Sequence, residues 1–506
     1  MASSCAPTPA RTMRRPGSSS PLLLVSVLVL LSGLGVGCGQ ENGTSAAGPH
    51  TNVLLLLVDD LRPELGAYGH EEMVTPSIDR LAATGLTFRR AYVHQAVCAP
   101  SRISLLTGLR PDSTDAHHYA TKLREVLPDA VTLPGHFKNH GYTTVGVRGK
   151  IFHHAEDGTG AWSRGPIQVE GEGHGRGYLT EAAIAKSKNS GQGPPFESPA
   201  VPDTAYEDGK VASRAVEQLR RLKEGPRPFF LAVGFKKPHL PFNAPQKYWD
   251  LYPRDEVQLP ANHSPPENAP RWALTNYGEL RNYADIPAQG PVPQTTAISL
   301  IRGYRASVSY IDAQVGRVLD ALAENGLREN TAVVLWGDHG FKIGEHRNWS
   351  KHTNFEVDTR IPLIVRAPGM SAVGEDTEAL VETVDLYPTL TDLASLPAPP
   401  QHQGQSFVPL LEAPARPWKE AVFGQYRRGG PDGTLGRTVR TDRYRYVEWV
   451  DLPSGAGQAR ELYDHRHDPW ENVNLAGRGP YASLVDSLSA VLRDGWREAT
   501  PPVRDQ

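Results

Sequence analysis

The segment Val97–Gly108 holds the residue types and spacing best suited to chemistry. Its sequence, V-C-A-P-S-R-I-S-L-L-T-G, predicts a helix, because Pro100 suits a first helical turn and Gly108 suits a helix end. Cys98 is then expected just ahead of that helix, where free N–H groups and the helix dipole favour an anion. Arg102, one turn further on, adds a fork-shaped cation. The alternative is a buried structural cysteine, since free cysteines are usually buried.

Acidic and imidazole side chains follow two continuous apolar runs of the sequence. They are Asp59 and Asp60 after residues 52–58, and Asp338 and His339 after residues 331–336. Such runs are typical of strands buried on both faces of a parallel sheet, whose carboxyl edge is where ligands bind. The three carboxylates supply oxygen ligands for a hard dication such as Ca²⁺. His339 would complete this ligand set with a nitrogen. A turn or helix cap is the alternative for the Asp pair.

Basic side chains follow further segments that we expect to be strands. They are Lys150 and His153 after residues 142–147, His239 after residues 228–235, and Lys351 beyond Asp338 and His339. Lys150 and His153 are three residues apart and would share a face if a helical turn forms there. Taken singly, each of these residues is more typical of a surface or a cap. Their common position after buried strands favours a shared site.

The rest of the chain predicts a large α/β domain followed by a smaller one. The 506 residues include 48 glycines and 44 prolines, which indicate long, shaped loops at 155–200 and 253–295 that we expect to wall the pocket. Residues 203–222 and 296–322 have helical apolar spacing. After residue 420, short strands at 421–426, 438–440 and 444–450 and a helix at 481–496 predict a small antiparallel sheet covered by a helix. We place the boundary between 51–419 and 420–506.

The N-terminus predicts export. Residues 1–38 have the basic, apolar and small-residue pattern of a signal peptide, and residues 39–50 indicate a flexible tether. Cys38 indicates either a lipoprotein signal or plain secretion, so the protein is expected in the periplasm, on the cell surface or outside the cell. Cys98 is then the one cysteine left in the folded body, an anomaly that chemical modification would resolve. The formal net charge of -3 argues against nucleic acid as a partner.

The pentapeptide Cys98-Ala99-Pro100-Ser101-Arg102 resembles the C-x-P-x-R signature of the type I sulfatases. Other stretches resemble this family, and within it the iduronate-2-sulfatases: Asp59-Asp60-Leu61-Arg62-Pro63, Gly149-Lys150-Ile151-Phe152-His153, Lys237-Pro238-His239-Leu240-Pro241-Phe242, Ala306-Ser307-Val308-Ser309-Tyr310 and Asp338-His339-Gly340. The resemblance covers roughly residues 51–470. It implies an alkaline-phosphatase-like fold, namely a large mixed, mostly parallel sheet flanked by helices.

The resemblance also implies the chemistry. Cys98 is oxidised by a formylglycine-generating enzyme to formylglycine (3-oxoalanine), whose hydrate attacks the sulfur of a sulfated saccharide. One Ca²⁺ is bound by modified Cys98 and by the four residues at the two strand ends: Asp59, Asp60, Asp338 and His339. The cations that offset charge on the sulfuryl oxygens are Arg102, Lys150 and Lys351. His239 protonates the leaving alcohol, and His153 then takes a proton to expel sulfate.

Some features depart from the iduronate-2-sulfatase pattern and keep alternatives open. Phe341 stands where that branch has tryptophan, and the loops at 155–200 and 253–295 do not obviously match. The 2-O-sulfate of an iduronate in a glycosaminoglycan is therefore one hypothesis, and that of a related uronate in an algal polysaccharide is another. Two further alternatives are a phosphate or phosphonate ester hydrolase of the same fold, and a non-catalytic lipoprotein that binds sulfated glycans through an unmodified Cys98.

Overall fold

The computed structural model describes residues 51–169, 176–397, 399–430 and 432–499. The strands in chain order are β1 (Asn52–Asp59), β2 (Leu86–Tyr92), β3 (Thr143–Val147), β4 (Phe196–Glu197), β5 (Phe229–Pro238), β6 (Phe242–Asn243), β7 (Thr331–Gly337), β8 (Lys342–Ile343), β9 (Trp349–Ser350), β10 (Arg360–Arg366), β11 (Glu375–Thr377), β12 (Val381–Glu382), β13 (Ala421–Arg428), β14 (Thr434–Thr441), β15 (Tyr444–Asp451) and β16 (Gly457–Asp464). The helices in chain order are α1 (Pro76–Ala82), α2 (Cys98–Thr107), α3 (Pro111–Thr114), α4 (Leu123–Val126), α5 (Leu133–Asn139), α6 (Glu181–Ser190), α7 (Glu207–Lys223), α8 (Gln246–Trp249), α9 (Gly278–Arg281), α10 (Gln294–Glu324), α11 (Glu356–Thr359), α12 (Leu386–Leu393), α13 (Val408–Glu412) and α14 (Ala482–Asp494). The signal-peptide and tether predictions for residues 1–50 lie outside the described residues.

An eight-stranded sheet forms the centre of the larger part of the chain. Its order is β11-β2-β10-β7-β1-β5-β3, with β12 also paired to β2. The neighbours β7, β1, β5 and β3 are parallel, whereas β10 runs antiparallel to both β7 and β2. This arrangement confirms the predicted α/β fold with a mixed, mostly parallel sheet. It also brings the carboxyl ends of four adjacent strands to one edge.

Strand β1 is buried on both faces, because its side chains alternate between two cores. Leu54, Leu56 and Val58 pack in a core that includes α7 and α10, while the intervening Val53, Leu55 and Leu57 pack in a core with α2, α5 and α12. The 31-residue helix α10 is about 46 Å long at 1.5 Å per residue, enough to cross the whole sheet. Layers of helices on both faces thus fix the strand ends that carry the site.

The C-terminal part is a four-stranded antiparallel sheet, β13-β14-β15-β16, covered by α14. Val439, Tyr446 and Leu462 of the sheet pack against Val485 and Leu488 of the helix. The prediction of a small antiparallel sheet with a helix is therefore confirmed. Strand β14 is longer than the predicted 438–440. The sequence does not predict strand β16, because its first half, residues 457–460, is largely exposed and has no apolar alternation. The boundary at residue 420 stays a prediction.

One predicted helix differs from the structure in detail, and the helical turn considered for Lys150 and His153 does not form. Helix α7 begins at Glu207, and a separate 3₁₀ turn, Asp203–Ala205, precedes it. The segment 150–153 bends instead of forming a helical turn. Among the described helices, none combines the length and apolar composition that crossing a bilayer requires.

Candidate active site

The candidate active site lies at the carboxyl edge of the parallel strands. Asp59 is the last residue of β1, and Asp338 follows β7 directly. Asp60 adopts a left-handed conformation with φ of 60°, and its backbone N–H donates to Asp338 Oδ1 at 2.9 Å. Because β7, β1, β5 and β3 are parallel neighbours, the polar residues that follow them converge as the sequence predicts.

Four of the predicted metal ligands form one tight cluster. Asp59, Asp60, Cys98 and His339 are all buried, and each offers a ligand atom within 4.8 Å of the others. Asp338 lies beside them, with Oδ1 3.7 Å from His339 Nε2. His339 Nδ1 lies 3.0 Å from Gly340 O, so it donates there and leaves the lone pair of Nε2 facing the cluster. This oxygen-rich donor set fits a hard cation such as Ca²⁺.

Cys98 is the first residue of α2, so the prediction that it precedes the helix is wrong by one residue. Val97 caps the helix in an extended conformation, and Gly108 ends it with a φ of 70°, as predicted. The Cys98 thiol donates to His339 Nε2 at 3.1 Å. Burial raises the pKa of Cys98 well above its usual range, and the Asp59 carboxylate adds to this effect. The encoded thiol is therefore uncharged and a poor nucleophile.

Arg102 is buried beside the cluster residues and hydrogen-bonds two of the site's carboxylates. Its guanidinium is 1% exposed and donates to Asp338 Oδ2 at 3.0 Å and to Asp59 Oδ1 at 3.1 Å. It also donates to the backbone carbonyls of Lys150 and Ile151. Residues 150–153, whose first two carbonyls accept these bonds, bend and do not form a helical turn. Arg102 thus fixes two carboxylates and the loop after β3.

Lys150 and His153 face the site from the loop after β3. Lys150 Nζ pairs with Asp59 Oδ2. Burial alone would raise the pKa of Asp59, but Lys150, His239 and Arg102 hold it well below its usual range. Burial and the Lys150 charge lower the pKa of His153 to about 2, so its imidazole is neutral. His153 Nδ1 is buried and has no hydrogen-bond partner among the described residues.

His239 and Lys351 meet at Glu279, a residue that the sequence reasoning missed. Lys351 Nζ lies 2.9 Å from Asp60 Oδ2 and 3.0 Å from Glu279 Oε2. His239 Nε2 lies 3.0 Å from Glu279 Oε1 and 4.0 Å from Asp60 Oδ2. Burial would lower the pKa of His239, but Asp60 and Glu279 raise it overall. The two carboxylates thus favour the charged form of His239 beside the cluster.

A cavity of about 680 Å³ opens beside these groups, and its lining includes Asp59, Lys150, His153 and His239. The long loop segments contribute to its wall, as predicted. Their contributions include Trp162, Arg176, Tyr178 and Leu179 from 155–200, and Tyr283 from 253–295. The edge of the sheet therefore combines an anionic cluster, several cations and two histidines with space for a substrate.

Comparison with known proteins agrees with this geometry. Residues 51–396 match the sulfatase family, and residues 344–497 match the family described as N-sulphoglucosamine sulphohydrolase, C-terminal. Iduronate 2-sulfatase of Mus musculus is 32% identical over 546 residues, covering 93% of this chain and 97% of the relative. Delta 4,5-hexuronate-2-O-sulfatase of Bacteroides thetaiotaomicron is 28% identical and covers 88% of each chain. A solved 2-O GAG sulfatase superposes with a TM-score of 0.68 at 24% identity, covering 88% of this chain and 91% of that one. The chain therefore belongs to the sulfatase family and is a sulfatase.

Proposed function

We propose that this sulfatase removes the 2-O-sulfate of an iduronate or a related uronate in a glycosaminoglycan or algal polysaccharide. The proposal depends above all on the cluster of Asp59, Asp60, Cys98 and His339, whose ligand atoms lie within 4.8 Å of one another. Two relatives support the uronate, since their names place iduronate 2-sulfate and hexuronate 2-O-sulfate among the substrates of similar chains. The substrate would enter the cavity of about 680 Å³ beside the cluster.

The cluster would hold one Ca²⁺, and Cys98 would carry the formylglycine. The protein ligands would be Asp59, Asp60, Asp338, His339 and the modified residue 98. When bound, the cation would supply positive charge to a sulfuryl oxygen, and the hydrated aldehyde would supply a nucleophilic oxygen to sulfur. The neutral thiol fits the role of a precursor, because burial and Asp59 keep it from ionising.

The remaining charges are arranged to stabilise a sulfuryl group. Lys351 and Lys150 pair with different carboxylates of the cluster, Asp60 and Asp59 respectively. Preorganised cations of this kind stabilise charge that develops in a transition state without further reorganisation. Arg102 would stabilise the sulfuryl charge without a direct hydrogen bond to it, because its N–H groups already bind Asp59, Asp338 and backbone carbonyls.

Two histidines would move the protons. His239 Nε2 carries a proton towards Glu279, and Asp60 and Glu279 favour its charged form, so it would protonate the leaving alcohol oxygen. His153 is neutral, and its buried Nδ1 has no partner in the described part of the chain, so it would accept the proton whose removal expels sulfate. The two residues line the same cavity, which allows them to act on one bound substrate.

The direct test is desulfation of defined sulfated disaccharides, among them 2-sulfated uronates, by protein purified from its own host. Release of sulfate from a 2-sulfated uronate, and its loss in Cys98→Ala, would support the proposal. Comparison of an aryl sulfate with the matching aryl phosphate addresses the alternative hydrolase of the same fold. A clear preference for the phosphate would refute the sulfate ester assignment.

The proposed partners and location follow from this chemistry. Besides the sulfated saccharide, the chain would need a formylglycine-generating enzyme during maturation. We also infer export to the periplasm, the cell surface or the medium, with membrane attachment only through a lipid on Cys38. Binding of a sulfated glycan without turnover, by protein whose Cys98 is a thiol even in its own host, would favour the non-catalytic alternative.

A further inference from the structure

We propose that Arg176 and Asn243 form a subsite in the active-site cavity that binds the carboxylate and a neighbouring hydroxyl of the uronate ring. This inference rests on the proposed function, because it concerns the sugar whose sulfate is removed. Both residues line the same cavity as Lys150, His153 and His239. The subsite would recognise the acid group of the sugar, separately from the cluster that binds the sulfate.

Arg176 hydrogen-bonds the Tyr178 side chain, but one nitrogen of its guanidinium has no partner among the described residues. Its guanidinium lies over the ring of Tyr283, with Cζ 4.0 Å from the ring centroid. Its Nη1 is buried and has no hydrogen-bond partner among the described residues. A buried charged donor without a partner lowers the stability of the protein. A ligand anion that accepts its hydrogen bond would remove this penalty. A planar guanidinium suits a carboxylate in particular, because it can form two parallel N–H···O bonds, one of which Nη1 would supply here.

Asn243 offers the complementary acceptor next to it. Its Nδ2 donates to the backbone carbonyl of Arg176 at 3.2 Å, so the two residues are direct neighbours. Its Oδ1 is buried and, in the described part of the chain, has no partner. Two neighbouring residues that each have an open polar atom, one a donor and one an acceptor, match a sugar acid, which presents a carboxylate beside hydroxyl groups.

The other cations with described partners in this wall are already paired. Lys236 Nζ binds Glu207 Oε1 at 2.8 Å, and Lys150 pairs with Asp59. Lys237 Nζ donates to the backbone carbonyl of His239 at 2.7 Å. Arg176, by contrast, lines the cavity with a buried N–H donor that has no partner among the described residues.

The segment that carries Arg176 is tied to the fold, so the subsite has a fixed base. Tyr178 Oη donates to Pro194 O at 2.5 Å. The backbone N–H groups of Leu179 and Thr180 donate to the two oxygens of Glu197 at 2.7 and 3.1 Å. Glu197 and Asn243 belong to the paired strands β4 and β6. A fixed guanidinium loses little entropy on binding, which favours selectivity.

The kinetic test compares a 2-sulfated uronate disaccharide with its carboxyl-reduced counterpart, in which a hydroxymethyl group replaces the carboxylate. Arg176→Met should lower kcat/KM on the acid about 10- to 100-fold, mainly through KM, since a charge-assisted hydrogen bond is lost. The loss on the reduced sugar should be much smaller. Arg176→Lys keeps the charge but not the planar guanidinium. Its kcat/KM on the acid should therefore lie between those of the wild type and Arg176→Met.

Arg271→Met is the matched control. Arg271 also stacks on an aromatic ring, with Cζ 4.5 Å from the centroid of Trp272, but it is exposed and does not line the cavity. Its substitution should leave the preference for the acid unchanged. Equal losses on the acid and the reduced sugar in Arg176→Met would overturn the subsite. A loss that follows a second sulfate group instead of the carboxylate would overturn the carboxylate assignment.

A binding measurement separates this inference from the proposed function. Calorimetric titration of the wild type with an unsulfated uronate disaccharide and with its methyl ester needs no turnover. Tighter binding of the acid than of the ester, lost in Arg176→Met, would support the subsite even if no uronate sulfate were hydrolysed. Equal binding of acid and ester by the wild type would refute it, even if the enzyme desulfated uronates.

Discussion

Replacement of Arg102 by methionine tests how the site is held together. The Arg102 side chain is 1% exposed and binds two carboxylates that are themselves buried, Asp59 at 3.1 Å and Asp338 at 3.0 Å. Methionine keeps much of the aliphatic volume but removes the charge. Both carboxylates then lose a partner in a region that water does not reach.

The expected cost is large because the pairs are buried. Removing one partner of a buried ion pair costs about 3–5 kcal/mol, since the remaining charge is left uncompensated. Lys150 still neutralises part of the Asp59 charge, so we expect a loss of about 3–5 kcal/mol and not twice that amount. The matched control is Arg80→Met. Arg80 pairs with Asp320 at 2.6 Å, but both side chains are 56% exposed, and such a pair contributes about 0–1 kcal/mol.

The assay is urea unfolding followed by tryptophan fluorescence, with a chelator and then with excess Ca²⁺. Without Ca²⁺, Arg102→Met should lose much more unfolding free energy than Arg80→Met. With Ca²⁺ the difference should narrow, because a cation bound by Asp59 and Asp338 offsets the lost guanidinium charge. Equal losses of unfolding free energy in the two variants would refute a large contribution from the buried pairs. If Ca²⁺ left the difference in unfolding free energy between the variants unchanged, that would argue against a metal at these carboxylates.

Three further substitutions test individual roles. His239→Ala should slow hydrolysis of sugar sulfates about 10²- to 10⁴-fold but that of activated aryl sulfates much less, since good leaving groups need no acid; equal losses in steady-state rates would contradict this role. In Glu279→Gln the pKa of His239 loses one of the carboxylates that raise it. A general acid works when protonated, so the fall of activity with rising pH should begin at lower pH than in the wild type; an unshifted profile would count against the contact. Asp338→Asn should weaken Ca²⁺ binding by calorimetry, and an unchanged affinity would exclude it as a ligand.

The strand ends could be predicted because burial leaves a clear pattern. A continuous apolar run such as residues 52–58 indicates a strand covered on both faces, and parallel strands place their carboxyl ends together. The residues at or just after these strand ends, among them Asp59 and His239, are therefore brought together by topology. The identity of residue 98 as a candidate followed from its position at a helix start.

Other features depend on contacts that no local pattern records. Glu279 lies in the four-residue helix α9 within a proline-rich segment, and only its approach to Lys351 and His239 gives it a role. The bend at residues 150–153 also depends on a distant contact, since Arg102 donates to two of its backbone carbonyls. Likewise, the open donor of Arg176 becomes evident only when Tyr283 and Asn243 are seen beside it.

The central claim is that Cys98 acts as formylglycine, and the mass of one peptide tests it most directly. Trypsin releases Ala91–Arg102 from the chain, and this peptide holds the single cysteine of the described residues. In protein purified from its own host and active on a sulfate ester, we expect the mass of the aldehyde or its hydrate at residue 98. A fully active preparation whose peptide carries only the unmodified thiol would contradict the account.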